Sequence, residues 1–246
     1  MTQRRVVLVT GSTDGIGRAT ARALAAGGMK VILHGRTKLK VDAALAALTE
    51  ELPGAEIEGI SFDLGSQTAV RRGAEQILAR VPRCTWWSTT PGSSPTSPRL
   101  EASATGAPSR VINVSSIAHT RGRIHLDDLT LANGWTGYAA YAMSKLASVM
   151  HAISLADKHE PSALVAYAVH PGVIQTKLLR QGFGPVAGAT PEVGARTQVR
   201  LAGEEAVTAP SGSYFSEGVQ TQPAPAARDT AMRAALWDAA LRLARL

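Results

Sequence analysis

Short apolar runs alternate with amphipathic stretches along the first third of the chain. A short apolar run that ends at a polar residue or a glycine is typical of a buried strand, and apolar residues three or four apart are typical of one face of a helix. Strands and helices that alternate at this spacing indicate right-handed βαβ units and a parallel sheet. The pattern predicts strands at Arg5–Thr10, Lys30–His34 and Glu56–Asp63 and helices at Gly15–Ala26, Lys38–Leu52 and Ser66–Val81, with Ser66 as an N-cap.

The alternation stops between Cys84 and Ser109, where the tract CTWWSTTPGSSPTSP is rich in Ser, Thr and Pro. We therefore predict one α/β domain over residues 1–246, interrupted by an aberrant segment at residues 83–108. Beyond that segment the pattern predicts strands at Arg110–Ser115, Ala163–His170 and Gly212–Ser216 and helices at Tyr138–Lys158, Pro191–Leu201 and Asp229–Leu243.

Composition and charge narrow the class of protein. A hydrophobic content of 45% is ample for a core, and the single cysteine excludes an internal disulfide and favours a reducing compartment. The first apolar run is too short for a signal peptide and no run is long enough to span a membrane, so we predict a cytoplasmic protein with no membrane partner. The net charge is +7, but the arginines are scattered rather than aligned on one helix, and we predict no nucleic-acid partner.

The stretch TGSTDGIG joins the first predicted strand to the first predicted helix. Gly11 permits a tight turn, and Gly15 and Gly17 let the backbone approach a pyrophosphate that lies on the free N–H groups of the helix N-terminus. Between a strand and a helix, this motif predicts dinucleotide binding. The cofactor-binding residues predicted from it are Thr10, Gly11, Ser12, Asp14, Gly15, Ile16 and Gly17.

The end of the second predicted strand distinguishes two dinucleotides. An NAD-binding domain usually carries Asp or Glu there to hold the ribose 2′-hydroxyl, whereas an arginine accommodates the 2′-phosphate of NADP. Here the chain reads HGRTKLK, with no acid and with Arg36 close to Lys38 and Lys40. We therefore predict NADP(H) as the cofactor, bound through Arg36, in preference to NAD(H).

Tyr141 and Lys145 of the stretch YAMSK are four residues apart on a predicted helix, so they share one face. An ammonium beside a phenol favours the phenolate and is expected to lower the pKa of the tyrosine towards neutrality. The pair therefore predicts a general acid or base that works near pH 7.

Four motifs follow one another in the order TGxxxGIG, NVSS, YxxxK and HPG, and together they resemble the short-chain dehydrogenase/reductase family. The segments NVSSIAHTRGRIHLDDL, AVHPGVIQTKL and SGSYFSEG are similar to its retinol-dehydrogenase-like branch. The resemblance implies a Rossmann-type, doubly wound parallel sheet in three layers. It also implies hydride transfer between NADP(H) and a small hydrophobic alcohol or carbonyl compound, retinoid-like or polyketide in character. A homodimer is compatible with it, and no metal site is expected.

Motif by motif, the resemblance implies roles for individual residues. Tyr141 would give or take the proton, and Lys145 would adjust the pKa of Tyr141 and hold the nicotinamide ribose. Ser116 would hydrogen-bond the substrate oxygen, with Ser115 as the alternative. The further cofactor contacts implied are Asp63 and Leu64 at the adenine, Asn113 at the end of the NVSS strand, and Pro171, Gly172, Val173 and Thr176 along the nicotinamide.

The family's NNAG motif, and the helix after it that bears a further catalytic asparagine, have no counterpart in the sequence. We hypothesise that residues 83–107 are translated out of frame relative to the ancestral gene. Trp86 and Trp87 must be encoded TGG TGG, and a shift of two bases turns the codons of WWSTTPG into codons that permit VVNNAG. The fourth strand is then expected to be disrupted and its helix lost. The alternative function is a damaged or non-catalytic family member that at most binds a dinucleotide.

The reading-frame hypothesis predicts what the coding DNA contains. Translation of the sequenced gene in the shifted frame should give VVNNAG opposite WWSTTPG. A coding sequence in which no frame encodes NNAG at this place would exclude the hypothesis and leave divergence into a loop as the explanation.

Overall fold

Eight strands form one sheet in a computed structural model that describes residues 5–80, 86–89, 108–184 and 186–244, with side chains omitted for 86–89 and 183. The strand order is β3-β2-β1-β4-β5-β6-β7-β8, and every neighbouring pair is parallel except β7 and β8. This is a doubly wound, Rossmann-type order with an added antiparallel edge strand, and it confirms the predicted fold class. The strands are β1 (Val6–Val9), β2 (Lys30–Gly35), β3 (Ile57–Ser61), β4 (Trp86–Thr89), β5 (Ser109–Val114), β6 (Leu164–His170), β7 (Tyr214–Ser216) and β8 (Val219–Thr221).

Helices cover both faces of this sheet. The helices are α1 (Gly15–Ala26), α2 (Lys38–Glu51), α3 (Gln67–Arg80), α4 (Gly137–Lys158), α5 (Lys177–Phe183), α6 (Pro191–Gly203), α7 (Pro225–Arg228) and α8 (Thr230–Ala244). Val7 of β1 packs with Leu24 of α1 and Leu201 of α6, whereas the adjacent Leu8 packs with Ile77 of α3. Because successive strand residues point to opposite faces, β1 contributes to both cores. α4 packs over β5 and β6 on the same face as α3.

The central strand that we expected to be disrupted is present. β4 lies between β1 and β5, and Trp87 is in register with Leu8 on one side and Val111 on the other. The expectation of a disrupted fourth strand is therefore corrected, because the tract WWST forms this strand and pairs on both edges. Cys84 and the stretch from Thr90 to Ala107 lie outside the described residues. The predicted loss of the helix that follows NNAG in the family falls on this stretch and stays a prediction. The reading-frame hypothesis also stays a prediction.

The other predicted strands and helices are present, with ends that differ by one or two residues. The Ser66 hydroxyl accepts a hydrogen bond from the Ala69 N–H at 3.3 Å, as expected of an N-cap. The sequence pattern missed β8, α5, α7 and a 3-10 helix at Ile117–Arg121, which are too short for a hydrophobic period to show. Within the described residues, no helix has both the length and the apolar character needed to cross a membrane.

Candidate active site

A cavity of about 680 Å³ opens at the carboxyl ends of β1, β5 and β6, where Val9, Val114 and His170 line it. Ligands of open α/β sheets bind at this edge, beside the point where the strand order reverses, which here lies between β1 and β4. The predicted site residues that line the cavity are Thr10, Gly11, Asp14, Gly15, Ile16, Gly17, Ser116, Tyr141, Lys145, Pro171, Gly172, Val173 and Thr176.

The loop after β1 is built around its glycines. Gly11 and Gly15 have φ angles of 64° and 55°, in the left-handed region that favours glycine. A Cβ on Gly17 would overlap the carbonyl group of Gly11, so the turn and the helix approach too closely for another residue. Asp14 caps α1 by accepting a hydrogen bond from the Gly15 N–H at 2.8 Å. The N-terminus of α1 thus lies in the cavity wall, where its N–H groups favour an anion.

Lys177, the first residue of α5, also lines the cavity and was missed by the sequence analysis. Its Nζ lies 2.8 Å from Oδ2 of Asp14, and this ion pair lowers the pKa of the Asp14 carboxyl. Both side chains are exposed, so the pair adds little to stability. The pair nevertheless joins α5 to the loop at residues 10–14 between β1 and α1, the predicted dinucleotide loop. The signal in the sequence was a basic residue directly after Thr176, whose hydroxyl caps α5.

Two adjacent serines directly follow β5 and lie in different environments. The buried Ser115 hydroxyl donates to the carbonyl of Lys145 at 2.8 Å. The Ser116 hydroxyl accepts a hydrogen bond from the Ala118 N–H at 3.2 Å and is hydrogen-bonded to the side chain of Tyr141. Ser116 rather than Ser115 thus presents its hydroxyl to the phenol, and the geometry favours the first of the two alternatives.

Burial controls the protonation of Tyr141 and Lys145. The Lys145 ammonium donates to the Val114 carbonyl at 3.0 Å and lies 5.3 Å from the centre of the Tyr141 ring. Lys145 is only 2% exposed, and this burial lowers its pKa to about 7. Burial raises the pKa of Tyr141, which the Ser116 hydrogen bond opposes in part. The expectation that Lys145 lowers the pKa of Tyr141 is therefore wrong for this structure, because the buried lysine loses its own charge near neutral pH.

The remaining predicted cofactor residues do not line the cavity, and they fall into two groups. Ser12 and Asn113 are buried in structural contacts. The Ser12 hydroxyl accepts a hydrogen bond from the His34 N–H at 2.9 Å. The Asn113 amide donates to the Ser148 carbonyl at 3.0 Å and to Nδ1 of His151 at 2.9 Å, so Asn113 faces α4 rather than the cavity. Residues Arg36, Asp63 and Leu64 follow β2 and β3, on the same edge of the sheet as the cavity but outside it.

Apolar side chains that the sequence analysis missed surround the mouth of the cavity. They come from separate segments, so no local pattern indicated them. One exposed hydrophobic residue is ordinary, but several that line one cavity indicate an apolar ligand. The exposed apolar residues that line it are Ile117, Tyr138, Leu178 and Val186, together with the predicted Val173.

Comparison with known sequences agrees with this arrangement. A family model described as short chain dehydrogenase matches residues 5–116. The chain is 31% identical to retinol dehydrogenase 12 of Homo sapiens, in an alignment that covers 97% of this chain and 86% of that protein.

Solved structures share the fold. An uncharacterized protein of Mycobacterium paratuberculosis has a TM-score of 0.75 and 26% identity, covering 98% of this chain and 93% of that one. L-sorbose reductase of Gluconobacter frateurii, solved with NADPH and L-sorbose, has a TM-score of 0.65 and 19% identity, covering 87% of this chain and 95% of that one. With the motifs, the strand order and the cavity, these likenesses show that the chain belongs to the short-chain dehydrogenase/reductase family, in its retinol-dehydrogenase-like branch, and is an oxidoreductase.

Proposed function

We propose that the protein is an NADP(H)-dependent oxidoreductase that transfers hydride between the nicotinamide and a small hydrophobic alcohol or carbonyl compound. One observation carries the proposal. The hydrogen-bonded pair Ser116 and Tyr141 lines, with Lys145, the same cavity as the dinucleotide loop. A proton donor and a cofactor cradle therefore share one surface, as hydride transfer coupled to proton transfer requires.

The residues of the loop fit the pyrophosphate of a dinucleotide. Gly17 leaves no room for a Cβ, and the N-terminus of α1 lies in the cavity wall. Arg36 is exposed directly after β2, in a stretch of sequence without an acid, and is suited to a 2′-phosphate. The NADPH in L-sorbose reductase supports this choice. When bound, the nicotinamide supplies or accepts the hydride.

Tyr141 is the group of this chain that moves the proton. Because burial raises its pKa, the phenol is protonated at neutral pH and suits donation to the oxygen of a carbonyl substrate. The Ser116 hydroxyl would orient that oxygen, and Lys145 would hold the ribose of the nicotinamide beside it. The protonated phenol is the form from which carbonyl reduction starts, and the phenolate is the form from which alcohol oxidation starts.

The apolar mouth supports a hydrophobic substrate. Ile117 directly follows Ser116, and Tyr138 precedes Tyr141 by about one helical turn, so apolar surface adjoins the proposed reacting groups. Leu178 extends this surface along α5. Burial of apolar substrate surface there contributes roughly 25 cal/mol per Å² to binding before the entropy of association is subtracted.

Tyr141→Phe removes the phenolic proton and keeps the ring. We expect kcat for NADPH-dependent reduction of hydrophobic ketones to fall about 10²–10⁴-fold, the usual contribution of a general acid, while the Kd for NADPH changes little. The absorbance of NADPH measures the rate, and titration of its fluorescence measures binding. An unchanged kcat would remove Tyr141 from the mechanism, whereas a folded wild type that does not bind NADPH would support the non-catalytic alternative.

Arg36→Leu tests the cofactor preference. A charged hydrogen bond to phosphate contributes about 1.5–3 kcal/mol, so we expect the KM for NADPH to rise roughly 10–100-fold while the KM for NADH is nearly unchanged. The control is Arg228→Leu, which removes an exposed arginine of α7. Equal changes for both cofactors would show that Arg36 does not recognise the 2′-phosphate.

Lys145→Met tests the effect of burial on the lysine. Its pKa is about 7 in the folded chain against an ordinary 10.5, so the unfolded state binds one proton more between these pH values. The wild type therefore gains stability as the pH rises through this window, and the variant does not. From pH 7 to pH 9 we expect the free energy of unfolding of the wild type to rise relative to the variant by on the order of 2 kcal/mol.

Urea unfolding at the two pH values measures this difference. The control is Lys158→Met, which removes an exposed lysine from the same helix. A difference between wild type and Lys145→Met that is the same at both pH values would contradict the assignment of a buried, discharged lysine.

A further inference from the structure

His119 is a buried histidine next to the active site that the proposed mechanism does not use. It belongs to the 3-10 helix that follows Ser116, and only 1% of it is exposed. Its neighbours Ile117, Ala118 and Thr120 line the cavity, whereas His119 is turned away from it. Its ring packs on Tyr214 of β7, with the two ring centres 4.8 Å apart.

Both ring nitrogens of His119 are hydrogen-bonded, and their partners determine the tautomer. The Ala224 N–H donates to Nε2 at 3.1 Å, so Nε2 carries no proton. Nδ1 therefore carries the proton and donates it to the Ser116 carbonyl at 2.7 Å. The main-chain N–H of His119 donates to the same carbonyl at 3.1 Å. The pKa of His119 is lowered by burial, which agrees with a neutral ring.

His119 thus makes two hydrogen bonds to the carbonyl of Ser116, and the shorter one comes from its ring. The orientation of that ring is fixed by Ala224, which is more than 100 residues away in the sequence. None of the described residues after Val186 lines the cavity, and Ala224 lies in the loop between β8 and α7. We propose that His119 is a positioning residue, which holds the main chain of Ser116 and so directs the Ser116 hydroxyl at Tyr141, with Ala224 fixing the orientation of its ring. The proposal rests on the proposed function for its kinetic consequence.

Two substitutions separate the two bonds. The amide nitrogen of His119→Asn takes the place of Nδ1 and can still donate to Ser116, whereas the amide oxygen of His119→Gln takes the place of Nε2 and can still accept from Ala224. We expect kcat of the Gln variant to fall about 10–100-fold with KM changed less than about 3-fold, the effect of a misplaced catalytic group. The Asn variant should keep most of the activity, with a loss below about 10-fold.

Ala224→Pro tests the same link without changing His119. Ala224 has φ −51° and ψ 144°, which proline can adopt, so this substitution removes the N–H donor with little change of backbone. We expect a kcat close to that of the Asn variant. The control is Ala224→Gly, which changes the same side chain but keeps the N–H donor, and there kcat should match the wild type.

Hydrogen exchange followed by mass spectrometry provides a readout that needs no substrate. In the Gln variant, peptides that cover residues 115–121 should exchange faster while those that cover 222–228 stay protected, and in the Asn variant the reverse should hold. Unchanged exchange at 115–121 in the Gln variant would overturn the proposal, and so would equal losses of kcat in the Asn and Gln variants. A wild type that reduces no carbonyl compound counts against the proposed function, and the exchange pattern still decides the role of His119.

Discussion

Two reciprocal hydrogen bonds between the end of β5 and α4 hold the site together. The Ser115 hydroxyl donates to the carbonyl of Lys145, and the Lys145 ammonium donates to the carbonyl of Val114. Both donors are buried, so breaking either bond would leave a buried polar group without its partner, at about 1–3 kcal/mol or more. The two bonds set the position of the strand end along the helix, and this brings Ser116 into hydrogen-bond contact with Tyr141.

The burial that secures this arrangement also shifts the pKa values of Lys145 and Tyr141. Removal from water lowers the pKa of Lys145 to about 7, so that it loses its charge near neutral pH, and it raises the pKa of Tyr141 further above neutrality. A buried lysine with a lowered pKa is typical of functional sites, where stability is given up for a useful protonation state. The chain therefore keeps a lysine where an apolar residue would suit the core, since the lysine also connects α4 to β5 and lines the cavity.

The sequence predicted which residues form the dinucleotide loop and the helix with Tyr141. Both signals, a glycine-rich turn and a four-residue spacing, are contained in a short stretch of the chain. Asn113 stays a predicted cofactor residue, although the strand period explains why it does not line the cavity. Asn113 of β5 faces α4, where its amide donates to the carbonyl of Ser148. Ser115 lies two residues further along, directly after β5, and its hydroxyl also bonds to α4. The pKa of Tyr141 was also missed, because a four-residue spacing does not reveal how much of a side chain is buried.

The central strand was missed for a different reason. The tract WWST lies in a polar stretch without alternation, and its neighbours in the sheet, β1 and β5, are far from it in the chain. Pairing of parallel strands uses main-chain N–H and C=O groups, so a tract without proline can pair in this place although it lacks an apolar pattern. β1 bears the dinucleotide loop and β5 bears Ser116, and β4 sets the distance between them. A segment that changed its reading frame would thus lose the side chains of NNAG but keep the backbone spacing on which the cavity depends.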